Sequence, residues 1–221
     1  MVWRESDDLV YGWWAFLNEE AIDRGIRSVH TKESIAKYVE DVTIFVAGGK
    51  PFNQSHLPSI RGTINYATKG VVGAPYVEAS MAGSGSWTAD INLVVDFSNS
   101  SELGSIRGTM TGFNLNDYFR PSGSLILEES PIGDSHSGFF EGDVSGNLDD
   151  RIWDGKWGGQ FYSHDDVPFY DQNENVDYVI PGTVAGTMAA RSLDDDQHWI
   201  LSMWHADLQL SSLRAALNAG P

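Results

Sequence analysis

Cysteine is absent from the 221 residues, which excludes disulfides, a thiol nucleophile and every thiolate metal site. Basic residues are scarce: 14 Lys and Arg stand against 31 Asp and Glu, a formal net charge of −17. Affinity for nucleic-acid phosphates and for anionic membrane surfaces rests on Lys and Arg, so neither is an expected partner. The acidity itself fits two readings, solubility or a surface for a basic partner. No run approaches the roughly 18 apolar residues of a membrane-spanning helix, and Met1 to Asp8 lacks the pattern of a signal peptide.

What the chain does have is period two. In Ser86 to Phe97, Trp87, Ala89, Ile91, Leu93, Val95 and Phe97 share one face, while Thr88, Asp90, Asn92 and Asp96 share the other, with Val94 the exception. A helix would repeat its apolar stripe every three to four residues, so this is a strand packed on one side and wet on the other. Further segments of the same kind predict strands near 10–17, 42–47, 58–67, 74–80, 104–113, 123–129, 137–147, 155–162, 181–190 and 198–204. Many half-wet antiparallel strands leave exposed edges, and closure into a barrel removes them.

The 23 glycines sit inside these runs, as in KWGGQFY and GTVAGTMA. There they weaken a strand unless the sheet bends sharply or another backbone comes close, which a small barrel requires. The pentapeptide SIRGT occurs twice, at Ser59–Thr63 and Ser105–Thr109, and predicts two strands with equivalent placement. Thr31 to Glu40 reads as a short helix capped by Thr31. Asp165 to Tyr178, acidic, aromatic and non-periodic, reads as a long loop between two barrel strands. Ala206 to Gly220 carries leucines near helical spacing and reads as a helix-like tail.

The order of YGWW (Tyr11–Trp14), TIFVAGGKPF (Thr43–Phe52), GTINY (Gly62–Tyr66), YVEAS (Tyr76–Ser80), SWTADINLVVDF, SIRGTMTGFN, KWGGQFYS (Lys156–Ser163) and PGTVAGTMAARS (Pro181–Ser192) resembles proteins with a transferrin-binding protein B-like β-barrel domain. The resemblance covers about residues 10 to 193. It implies an all-β fold, a Gly-rich antiparallel barrel of eight strands after a small N-terminal sheet region. The expected division is 1–57 for a handle-like sheet region on the barrel, 58–205 for the barrel and 206–221 for the tail. At the end the pattern departs: HWILSMWH (His198–His205) stands where a closing strand of small residues and Phe is expected. The resemblance further implies export to the bacterial surface, lipid-anchored, or secretion, and binding without catalysis. The expected partner is a host or environmental protein or a small solute, met by a monomer. It carries no ligand-contacting residue onto this chain.

Six histidines, His30, His56, His136, His164, His198 and His205, form no ligand spacing such as HxxxH or HExxH. The turns Asp134-Ser135-His136 and His164-Asp165-Asp166 mix carboxylate with imidazole and read either as solvated turns or as cation sites. The acid runs Asp149-Asp150, Asp165-Asp166 and Asp194-Asp195-Asp196 point into water on turns, and no nucleophile elbow is present. No catalytic or metal residue is therefore assigned. Eight Trp, eight Tyr and ten Phe exceed what a small barrel interior holds. Consecutive aromatics in a strand face opposite ways, so one of each pair Trp13-Trp14, Phe139-Phe140 and Phe169-Tyr170 lies outside. Trp13-Trp14 fits cover by the N-terminal sheet. Phe169 and Tyr170, with His164 beside them, are the candidate ligand-binding residues, in a loop suited to a basic protein partner. Two alternatives stand beside loop-mediated binding. One is a carrier of haem or another small apolar ligand, held by a histidine between the N-terminal region and the barrel. The other is a hydrolase using loop carboxylates.

Overall fold

The structure, a computed structural model, describes residues 3–6, 9–17, 20, 24, 39–46, 50–73, 77–78, 81–82, 87–97, 103–115, 121–133, 138–170, 176–194 and 198–211. In chain order, β1 (Trp3–Ser6), β2 (Leu9–Leu17) and β3 (Val39–Val46) form a three-stranded antiparallel sheet in that order. A 3₁₀ helix (Gln54–Ser59) leads into β4 (Thr63–Gly73). After it come the two-residue strands β5 (Val77–Glu78) and β6 (Met81–Ala82), then β7 (Trp87–Asp96), β8 (Ser105–Leu115), β9 (Gly123–Pro131), β10 (Phe140–Leu148) and β11 (Arg151–Tyr162). The chain continues through β12 (Val167–Tyr170), β13 (Val176–Ile180), β14 (Thr183–Ser192) and β15 (His198–Leu208).

Eight of these strands close a barrel in the order β4-β7-β8-β9-β10-β11-β14-β15, every neighbour antiparallel, with β15 paired back onto β4. The atypical segment His198–His205 is thus the closing strand, and it continues through Ala206 to Leu208, into residues expected to begin a helix. Its alternation explains why: Ile200, Ser202, Trp204 and Ala206 are all buried. The seam to β14 is continuous from Arg191↔Trp199 to Thr183↔Asp207. The seam to β4 pairs only at Ser202↔Gly73, Asp207↔Ala67 and Leu208↔Tyr66, with a register shift between the two ends.

The alternation through β7 and the residue after it is as expected, with Ala89, Ile91, Leu93, Val95 and Phe97 all buried, while the Trp87 side chain lies outside the described residues. The two SIRGT copies are not equivalent. The second lies within β8, whereas in the first Ser59 ends the 3₁₀ helix and Ile60 to Gly62 connect it to β4. Pro58, inside that helix, has no N–H to give to a ladder at its own position. Both isoleucines are nonetheless buried and both arginines exposed.

The expected long loop is instead a hairpin, with β12 and β13 paired from Val167↔Ile180 to Tyr170↔Val176. Of the predicted helix at 31–40 only Val39 and Glu40 are described, and they belong to β3. Residues 31–38 lie outside the described residues, as do His30, His136 and the side chains of Trp13, Trp14, His198 and Trp199.

The interior is filled by side chains. Trp153, Trp157, Trp204, Tyr66 and Phe97 are among the largest fully buried groups, and Phe140 and Phe161 bridge the last four at ring separations of 5.2 to 6.4 Å. One barrel end is capped by the 3₁₀ helix, where Phe52, Leu57 and Ile60 join the core. The β12–β13 hairpin packs against that helix. At the other end a two-residue turn, Asp149-Asp150 with φ of 56° and 60°, joins β10 to β11, the left-handed pair that matches strand twist in tight hairpins.

The N-terminal sheet meets the barrel through β3, which lies against β14 and β15. Ala185 and Met203 point outward on those strands and are excluded from the core cluster, yet both are buried. Cover from outside the barrel accounts for both.

The Tyr66 hydroxyl donates to the Pro181 carbonyl at 2.9 Å inside the barrel. Burial, helped by Asp166, holds its pKa far above the ordinary phenol value. The unfolded chain releases this proton near about pH 10 while the folded chain keeps it, so the folded state binds more protons and stability falls as pH rises. Urea unfolding is expected to lose up to about 1.4 kcal/mol per pH unit above that point from this group. Tyr66→Phe should cost about 1 kcal/mol at neutral pH and flatten the alkaline slope. An unchanged slope would remove Tyr66 as its source.

Candidate functional site

The outer wall over β10, β11 and β14 follows directly from register. Glu141, Gly158 and Thr187 lie in one row across the three strands, and Asp143, Lys156 and Ala189 in the next. On either side of these, Gln160 faces Ala185 and Asp154 faces Arg191. Between the taller Lys156 and Gln160, the outward positions Gly158 on β11 and Thr187 and Ala189 on β14 are too small to fill the space, and the row ends at Ala185, which is buried. The result is an open depression of about 940 Å³ whose rim carries Phe139, Glu141, Lys156 and Gln160. A second depression of about 520 Å³ shares Lys156 and Ala189 with it and adds Asp143, Asp154 and Arg191. Together they form a trough along β11 and β14.

Gly158 is required at this floor. A Cβ there would stand 2.8 Å from the Phe140 carbonyl oxygen, a backbone atom that cannot give way without moving β10. Phe139 and Phe140 divide as consecutive aromatics must: Phe140 is buried in the core and Phe139 is 56% exposed at the trough's end.

The charged groups are matched locally. Lys156 Nζ lies 2.5 Å from Asp143 Oδ1, and Arg191 Nε lies 3.4 Å from Asp154 Oδ1. The Asp143 pairing raises the Lys156 pKa, first through the hydrogen bond and then through its charge. Gln160 Nε2 donates to the Tyr162 hydroxyl at 2.6 Å, fixing the amide at the rim. Burial raises the Tyr162 pKa, and the Gln160 bond works against it.

The residues chosen from sequence lie beyond this trough. Phe169 is half-buried and stacks on Tyr178 with ring centroids 4.8 Å apart at 7°, which makes it the packing member of its pair. Tyr170 is 61% exposed, opposite an exposed Val176 across the hairpin. His164 lies two residues past Tyr162, its Nε2 3.6 Å from Asp165 Oδ2. The structure therefore turns Phe169 and Tyr170 to opposite faces of the hairpin.

The acid runs have structural partners. Asp166 Oδ1 accepts from the Gly182 N–H at 2.9 Å, and Asp194 Oδ2 accepts from the Ile152 N–H at 2.9 Å. Among the described residues no group of three or more His, Asp and Glu converges as a metal site. His56 lies in the 3₁₀ helix with its ring 6.2 Å from that of Phe52. His205 points outward on β15, its Nε2 3.9 Å from Asp207 Oδ2, on the strand that β3 covers. No described residue forms a helix long and apolar enough to cross a membrane.

No family model, curated protein or solved structure matches the chain.

Proposed function

We propose that this chain is a non-catalytic binding protein of the bacterial exterior, surface-held or released, that uses its barrel as a rigid platform and its outer trough as the ligand surface. The observation that carries the reading is the trough itself: about 940 Å³ of open space over a floor of Gly and Ala on a barrel whose interior is filled by aromatics. A filled interior leaves the outside for ligand contact, and a depression with a few polar groups at its rim is the usual form of a small-molecule site. The exterior location and a lipid anchor rest on the resemblance of the strand motifs, in their order, to transferrin-binding protein B-like domains. Among the described residues, the Asp166 and Asp194 carboxylates are held by backbone N–H groups, which supports binding over chemistry.

Amide chemical-shift mapping against a set of small solutes and short peptides tests this. Perturbations are expected to centre on Gly158, Gln160 and Thr187, and Thr187→Trp, which fills the floor, should abolish them. The bound molecule should be recovered unchanged. Perturbations confined to Tyr170 and Val176 would move the ligand surface to the hairpin, and turnover of the bound molecule would make the protein an enzyme.

A further inference from the structure

We propose that the trough takes a neutral oligosaccharide lying along β11 and β14, an inference that rests on reading the trough as the binding surface. Its shape is the first argument. From Gln160 to Asp154 the trough follows six residue steps of one strand, about 20 Å at roughly 3.3 Å per residue, long and shallow enough for a linear polymer.

The second argument is the closed ladder. β11 and β14, which carry the floor, are paired on both sides along the trough, so their backbone groups are committed to neighbours, while β10 pairs with β9 only from Val144 to Leu148 and the Glu141 carbonyl accepts instead from the Ser130 hydroxyl. An extended peptide gains its affinity largely by adding a strand to an open edge, and β11 and β14 offer none. Recognition must come from side chains standing over a bare floor.

Those side chains suit hydroxyl groups. The strip carries carboxylates (Glu141, Asp143, Asp154), an amide (Gln160), two cations (Lys156, Arg191) and the Thr187 hydroxyl. Sugar hydroxyls donate and accept in the same way, and planar carboxylate, amide and guanidinium groups engage neighbouring pairs of them. The exposed ring of Phe139 beside Gln160 offers a flat apolar surface for the C–H face of one sugar ring. Charge decides between neutral and anionic glycans. The two cations are already matched by Asp143 and Asp154, the strip retains one excess carboxylate, and the whole chain carries −17. Sulfated or sialylated chains meet repulsion at long range and no spare cation among the described residues of the strip.

Titration of the full chain with cellotetraose, maltotetraose and chitotetraose, followed by amide shifts and calorimetry, is the test. At least one should bind saturably with shifts at Phe139, Gln160 and Thr187. Gln160→Ala and Phe139→Ala, each checked for native amide dispersion, should weaken it about tenfold, about 1.4 kcal/mol, and Tyr170→Ala should leave it unchanged. If the sugars fail while a tetrapeptide or a heparin fragment perturbs the same amides, the ligand class is wrong and the trough stands. If no probe perturbs the strip, both the sugar assignment and the reading of the trough fall.

Discussion

Replacing Trp204 with alanine is expected to destabilise the barrel by about 3–5 kcal/mol, read as a fall in the urea midpoint without loss of two-state behaviour. Trp204 is 1% exposed. Its ring stacks on Phe140 at 6.2 Å and 28° and lies 6.0 Å from Trp157, so its removal opens a cavity between three strands that have no slack to collapse into it. Phenylalanine at the same position should cost much less, because the Trp204 indole N–H has no hydrogen-bond partner among the described residues. Its loss forfeits area but no bond. Trp153 is the control: its Nε1 donates to the Leu148 carbonyl at 3.1 Å, so Trp153→Phe should cost more than Trp204→Phe by about 1 kcal/mol, the net worth of a hydrogen bond. The reverse order would mean that the Trp204 N–H is paired in solution.

Period two made the barrel legible because one buried face imposes it on every long strand. Ile91, Leu93 and Val95 could be assigned inward from their spacing alone, and the Phe139-Phe140 pair had to divide. The closing strand was harder, since two of its inward positions are Ser202 and Ala206, whose polarity and size blur the alternation. The β12–β13 hairpin was hidden by Pro168, which suggests a break, yet Pro is tolerated where a strand has a free side, and β12 belongs to a two-stranded sheet. The trough was invisible for a different reason. Gly158, Ala185, Thr187 and Ala189 are ordinary small residues in sequence and become a floor only through the register of β11 on β14, which alternation does not specify. Aromatic residues in an acidic segment, such as Tyr170, attract notice in a sequence, whereas a depression is made by residues with little side chain to notice.

The same register predicts that Gly186→Ala destabilises the barrel by about 3 kcal/mol, the upper end of ordinary overpacking. Gly186 lies opposite Gly159 on β11 and Trp204 on β15. A Cβ there would collide with the Gly158 carbonyl oxygen and stand 2.6 Å from Trp204 Cζ2. The first obstacle is backbone held in a ladder, and relieving it requires β14 to move away from β11. The second is a side chain that a smaller residue removes. Combining Gly186→Ala with Trp204→Phe should therefore recover part of the loss, a coupling of about 1 kcal/mol in a double-mutant cycle, while the backbone collision keeps the double variant below Trp204→Phe alone. Full recovery would place the whole constraint in the tryptophan; strict additivity would mean that Gly186 and Trp204 do not touch, and that the barrel closes at β15 in some other way.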